Sequence, residues 1–125
     1  MRKQILVVDD ANVLRASVRF ALEPTGLDIL EAGNGQEGLE VLKGMADKGE
    51  RPAMILTDIN MPVMDGITFI HNVKKTSMKF VPILVLTTES QAAKKMEGKK
   101  AGASGWLVKP FDEQQLVAVV RKFVR

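Results

Sequence analysis

Three short runs are apolar almost throughout: Ile5-Leu6-Val7-Val8, Met54-Ile55-Leu56-Thr57 and Ile83-Leu84-Val85-Leu86. A strand reads this way when helices cover both faces of a parallel sheet, because neither side of it meets water. Two weaker runs, Leu27-Asp28-Ile29-Leu30 and Gly105-Trp106-Leu107-Val108, carry a polar residue or a glycine and suit the sheet edges.

Between the runs the apolar period changes from continuous to helical. Leu14, Val18, Ala21 and Leu22 recur at helix spacing, and Pro24 is expected to end that helix. Leu39, Leu42 and Met45 mark a second helix. Ile67, Ile70 and Val73 mark a third, starting near Gly66. Leu116, Val119, Val120 and Phe123 mark the last, with Asp112 as its N-cap. The stretch from Gln91 to Ala101 has a thin apolar face of Ala93, Met96 and Ala101 beside four lysines, so it is expected to be the most mobile helix.

Strand and helix thus alternate five times, which predicts an α/β fold: a five-stranded parallel sheet, order 2-1-3-4-5, with five helices on both faces, flavodoxin-like in its winding. Residues 1–125 are expected to form one domain without a linker, repeat or output domain. In this strand order the switch point lies between the first and third strands, and ligands bind at their carboxyl ends.

Composition narrows the chemistry. The absence of cysteine excludes disulfides, zinc–thiolate sites and cysteine nucleophiles, and a single histidine leaves any metal to oxygen ligands. No apolar run approaches the ~20 residues of a membrane span, and the basic start at Arg2 is followed by too short an apolar run for a secretory signal. A cytoplasmic protein without membrane insertion is expected. The net charge of +3 is uneven, since eight lysines face two glutamates between Lys74 and Lys109. A basic lobe calls for a partner and an acidic remainder for a cation.

The acids collect where the fold places ligands. Asp9 and Asp10 follow the first strand, Asp58 the third, Thr87-Thr88-Glu89 the fourth, and Lys109-Pro110 the fifth. One such residue is ordinarily a turn former or cap, but three carboxylates at the switch point must either raise a pKa or hold a cation. All-oxygen ligands suit Mg²⁺, or Mn²⁺. With Lys109, such a site can accept a phosphoryl group on Asp58, and the added negative charge would draw in a hydroxyl donor such as Thr87.

Four segments then resemble a known family: V-V-D-D (7–10), T-D-I-N-M-P-V-M-D-G (57–66), L-T-T-E-S (86–90) and A-G-A-S-G-W-L-V-K-P-F (101–111). They are similar, in order and across the whole chain, to receiver domains of two-component response regulators, above all the stand-alone chemotaxis, CheY-like members. The resemblance implies that Asp58 is the phospho-acceptor, charged by a phosphohistidine on a CheA-like sensor histidine kinase. It implies Mg²⁺ on Asp9, Asp10, Asp58 and the backbone carbonyl of Asn60, Lys109 on the phosphoryl group, and a cis bond from Lys109 to Pro110. Thr87 becomes the switch hydroxyl, and Trp106 the switch aromatic, a position usually held by Tyr or Phe. Asn60, Thr88 and Glu89 are expected to set phosphoryl access and lifetime, Thr88 standing where the family often has Ala or Gly. The implied partner face is the lysine-rich helix with Lys94, Lys95 and Lys99, the Trp106 strand and the last helix. A FliM-like flagellar motor switch protein is the implied output partner, with a phosphatase as a further one. The chain is expected to be a monomeric signalling protein that promotes only its own phosphorylation and dephosphorylation.

Other readings are weaker. The spacing Gly33, Gly35, Gly38 matches a dinucleotide fingerprint, with Asp58 twenty residues on. It follows an edge strand, however, and the central position holds Asp9-Asp10, which would repel phosphate. Asn34-Gly35 reads instead as a turn into the second helix and Gly38 as a close-packing site. A flavin module on this fold is disfavoured by the same two acids. An aspartyl-phosphate phosphohydrolase often has a second acid two residues past its nucleophile, where this chain has Asn60. His71 reads as an ordinary helix residue, and four lysines near one aromatic are weak grounds for nucleic-acid binding. A stand-alone receiver serving as a phosphorelay intermediate or phosphate sink remains the nearest alternative.

Overall fold

The computed structural model describes residues 3–124, so Arg2 and the ends of the expected 1–125 domain lie outside the described residues. The chain runs β1 (Gln4–Val8), α1 (Asn12–Leu22), β2 (Asp28–Ala32), α2 (Gly35–Asp47), β3 (Met54–Thr57), α3 (Gly66–Val73), β4 (Ile83–Thr87), α4 (Ala92–Ala101), β5 (Gly105–Val108) and α5 (Glu113–Phe123). The sheet is parallel in the order β2-β1-β3-β4-β5, as the alternation of runs predicts.

Side chains of the central strands alternate between two cores. Leu6, Val8, Ile55, Ile83 and Val85 face α2, α3 and α4 through Leu42, Met45, Phe69, Ile70, Val73 and Ala101. Ile5, Val7, Leu56, Leu84 and Leu86 face α1 and α5 through Val18, Ala21, Leu22, Leu116 and Val120. Because α1 leaves β1 toward one face and α3 leaves β3 toward the other, the carboxyl ends of these paired strands stay uncovered.

Several local expectations are corrected. The second strand is Asp28–Ala32 rather than Leu27–Leu30; as an edge strand it accepts a polar Glu31 on its open side. Pro24 does not simply stop α1. Its ring fits a 3₁₀ turn, Glu23–Thr25, which Gly26 ends at φ 76°. On α4, Ala93 and Met96 are exposed, and the buried positions are Gly98 and Ala101. Phe123, at the last turn of α5, is also exposed.

The glycine run is explained by packing. Asn34 caps α2, its side chain accepting from the Glu37 amide at 2.9 Å. A Cβ on Gly35 would sit 2.9 Å from Met64 Cγ, and one on Gly38 2.8 Å from Phe69 Cε1 and 3.1 Å from Val8 Cγ2. Asp112 caps α5 in a full capping box with Gln115.

Candidate functional site

The rim at the carboxyl ends of the strands brings four of the expected residues together. Asp9 follows β1 and Asp58 follows β3, and the Asp58 amide donates to the Val8 carbonyl at 3.0 Å, so strand pairing itself sets the two acids side by side. Asp9 is 1% exposed and Asp58 9%, whereas Asp10 lies open to solvent. One carboxylate oxygen from each of the three falls within 4.8 Å of the others. Lys109 enters from the far end of β5: its Nζ donates to Asp9 Oδ2 at 2.8 Å and to Asp58 Oδ2 at 3.1 Å.

Each acid is also held from behind. Asp58 Oδ1 accepts from the Ile59 amide at 2.6 Å, and Asp9 Oδ1 from the Ala11 amide at 2.9 Å. The turn that carries Asp58 is packed so closely on α3 that a Cβ on Gly66 would lie 2.0 Å from the Asp58 carbonyl oxygen. Only glycine lets the helix begin there.

The charges do not balance. At 4.8 Å, two carboxylates repel by roughly 3 kcal/mol at an effective dielectric of 20. Burial pushes the Asp9 carboxyl up from the ordinary value of 3.8, and the bonds from Lys109 and the Ala11 amide offset this only in part. Burial alone would lower Lys109, but its bonds to Asp9 and Asp58 prevail and hold it above 10.5. Three carboxylates against one ammonium leave −2, which a divalent cation cancels. The donors are all oxygens, and one acid is open to solvent, so the set fits a hard ion that keeps part of its water shell, such as Mg²⁺.

The remaining expected residues form a second tier. Thr87 is fully buried; its Oγ1 accepts from the Glu89 amide at 3.2 Å, and its carbonyl accepts from the Lys109 amide at 2.8 Å. Trp106 Nε1 donates to the Glu89 carbonyl at 3.0 Å. Glu89 therefore links Thr87 to the indole through its two backbone groups. The Trp106 ring is half-buried and turned toward Gly98 of α4, where an added Cβ would meet Cζ3 at 2.7 Å. Thr88 and Asn60 are exposed and Glu89 is half-buried. The Lys109–Pro110 peptide is cis. Lys94, Lys95 and Lys99 lie on α4, and Lys94 pairs with Glu97 at 3.4 Å.

Sequence reasoning missed three supports of this site. Gly98 carried a usable signal, since a glycine inside a helix costs about 1 kcal/mol against alanine and implies a close neighbour. The Ile59 amide carried none, because every residue has one. Arg15, whose guanidinium donates to the Asp9 carbonyl, carried none either, because helix spacing does not tell which carbonyl an arginine reaches.

Comparison with known proteins bears on the family and the fold. Residues 5–121 match the response regulator receiver domain family. The chain is 37% identical over 123 residues to the Helicobacter pylori sensor histidine kinase CheAY, covering 97% of this chain and 15% of that protein. It is 37% identical over 115 residues to the Helicobacter pylori chemotaxis protein CheY1, covering 90% of each. The solved structure of Vibrio cholerae chemotaxis protein CheY4 superposes with a TM-score of 0.87 at 38% identity, over 99% of this chain and 100% of that one. The chain belongs to the response regulator receiver domain family and is a receiver of the CheY type, a phosphorylation-activated signalling switch.

Proposed function

We propose that Asp58 is the phospho-acceptor of a Mg²⁺-dependent switch charged by a sensor histidine kinase. The observation that carries this reading is the Lys109 ammonium bridging Asp9 and Asp58, with Asp10 in reach of both acids. A carboxylate oxygen of Asp58 attacks the donor's phosphorus, the P–N bond of the phosphohistidine breaks, and the imidazole leaves with the electron pair. Lys109 stabilises the charge on the phosphoryl oxygens. Asp9, Asp10 and Asp58 would hold Mg²⁺, completed by the Asn60 carbonyl; when bound, it supplies the positive charge that lets an anionic phosphoryl approach an anionic acceptor. Asn60, Thr88 and Glu89 line the approach and set how long the aspartyl phosphate survives.

After transfer, the acceptor carries about −2 in place of −1. Thr87 answers by turning its hydroxyl to donate to the phosphoryl group. That movement gives up or shifts its bond with Glu89, and Glu89 also holds Trp106. The change reaches the face of α4, β5 and α5, where Lys94, Lys95 and Lys99 suit an acidic, amphipathic partner segment. The named chemotaxis relatives favour a CheA-like donor and a FliM-like motor switch as partners, with a phosphatase to reset the cycle. The protein works as a cytoplasmic monomer and has no metabolic substrate.

The test is labelling by acetyl phosphate or phosphoramidate. Wild type should be labelled with Mg²⁺ and not after chelation, and Asp58→Asn should not be labelled at all. Persistent labelling of Asp58→Asn would remove Asp58 from its role. Capture on the beryllofluoride-loaded protein separates the outputs: a flagellar switch protein supports the motor reading, while a histidine phosphotransfer protein alone would replace it with a phosphorelay role.

A further inference from the structure

Behind the acid pair stands a cation that the phosphoryl chemistry does not use. Arg15, in the first turns of α1, is only 15% exposed, and its guanidinium spends its donors on three different groups. Nε donates to Glu31 Oε1 of β2 at 3.0 Å, Nη1 to the Asp9 carbonyl and Nη2 to Asn12 Oδ1. Arg19 holds Glu31 from the other side at 2.6 Å and also donates to the Ile29 carbonyl at 3.1 Å. The pair of arginines lowers the Glu31 carboxyl below its ordinary range, Arg19 by the larger share. The Asp9 amide is itself tied to the Ala32 carbonyl of β2 at 3.0 Å. The main chain at Asp9 is thus clamped on both sides, by β2 through its amide and by Arg15 through its carbonyl.

We infer that Arg15 is a positioning residue for the cation site: its forked guanidinium fixes the Asp9-Asp10 turn so that both carboxylates face the ion. Asp9 and Asp10 sit where β1 gives way to a loop, and after one further residue, Ala11, α1 begins at Asn12. Among the described residues, the main-chain ties of this turn include the Asp9 amide bond to Ala32, the Ala11 amide bond to Asp9 Oδ1, the Ala11 carbonyl bond from the Arg15 amide at 3.1 Å and the Arg15 guanidinium bond to the Asp9 carbonyl. Of these, only the Arg15 guanidinium bond depends on a replaceable side chain outside the acid set. Glu31 serves the same purpose by anchoring the fork and cancelling its charge. Supports of this kind typically set 10–100-fold of a site's metal affinity.

The sign of the effect separates positioning from simple electrostatics. A positive charge beside a cation site opposes the cation, so removing Arg15 on charge grounds alone would tighten Mg²⁺ binding. Positioning demands the opposite. The inference rests on the reading of Asp9, Asp10 and Asp58 as the Mg²⁺ site, and the experiment keeps the two apart.

Mg²⁺ affinity is measured by titration calorimetry on wild type, Arg15→Ala and Arg15→Lys, with amide hydrogen exchange at Ala11 in the metal-free proteins. Arg15→Ala should weaken Mg²⁺ binding at least tenfold and speed exchange at Ala11. Arg15→Lys keeps the charge and most of the α1 packing, yet one ammonium cannot hold three separated acceptors in the same fork. It should recover only part of the affinity, and it stands in if the alanine variant fails to fold. Affinity equal to or tighter than wild type in a folded Arg15→Ala, or full recovery in Arg15→Lys, overturns the positioning role. Absence of Mg²⁺ binding in wild type overturns the site itself.

Discussion

Gly98→Ala is a one-carbon change that sets two physical effects against each other. Alanine in the interior of α4 should stabilise the helix by about 1 kcal/mol, because glycine has more backbone freedom to lose. The new Cβ, however, would lie 2.7 Å from Trp106 Cζ3 and 3.3 Å from Cε3. Carbon atoms rest at about 3.5–4.0 Å, so the ring must retreat by about 1 Å. It cannot retreat freely, because Nε1 is bonded to the Glu89 carbonyl at 3.0 Å and the ring packs against the core beneath α3 and α4. Overpacking costs about 1–3 kcal/mol and loss of the indole bond about 0.5–1.5 kcal/mol. The costs exceed the helix gain, and the variant should be less stable by about 0.5–3.5 kcal/mol. With 125 residues, each kcal/mol moves Tm by roughly 4 °C. Urea unfolding gives the free energy. Since Trp106 is the single tryptophan, its emission gives the ring's environment in the same experiment and should shift to the red. A double-mutant cycle isolates the contact: in a Trp106→Phe background the outer edge of the ring is gone, so Gly98→Ala should become neutral or stabilising by up to about 1 kcal/mol. A Gly98→Ala protein more stable than wild type with unchanged emission would refute the proposed clamp between α4, Trp106 and Glu89.

Two further outcomes follow from the rim. Val63 is 80% exposed and sits at φ 69° inside a tight turn closed by the Met64 amide on the Pro62 carbonyl at 2.7 Å. A β-branched residue is strained there and glycine is not, so Val63→Gly should stabilise the protein by about 1 kcal/mol in urea unfolding, the relief of strain exceeding glycine's entropy cost; a loss of stability would refute the strain. In chelator, the raised Asp9 pKa means that the folded state binds the extra proton just above pH 3.8. Its contribution therefore becomes less favourable as pH rises from 3.8 through its higher folded value. The difference in unfolding free energy between wild type and Asp9→Asn should change with pH across that window and be flat above it. Lys109, raised above 10.5, adds no pH dependence in this range.

The sheet was legible because burial on both faces leaves a local trace. Ile5-Val8, Met54-Leu56 and Ile83-Leu86 are apolar in every register, as a parallel strand between two helix layers needs. The grouping of polar residues at the rim was legible for a related reason: in a parallel sheet, polar residues following each strand end at the same edge, so Asp9, Asp10, Asp58, Thr87 and Lys109 could be gathered before any contact was known. Periodicity was a poorer guide where burial was thin. On α4 it selected Ala93 and Met96, which are exposed, because the contact there is made by a glycine, and a missing side chain has no hydropathy.

What the sequence alone determined was the set of elements, their order and the list of polar groups at one edge. Tertiary structure decided which atoms meet. Lys109 reaches Asp9 across 100 positions of chain, and its bridge to Asp58 depends on how β5 is spaced from β3 across the sheet. Arg15 looks like a surface residue until β2 sets Glu31 beside it. Gly35 and Gly38 fit a nucleotide fingerprint until Met64, Phe69 and Val8 are found against them. Period and propensity record how each residue meets water or core, whereas these contacts depend on pairwise distances that only strand register and helix docking fix.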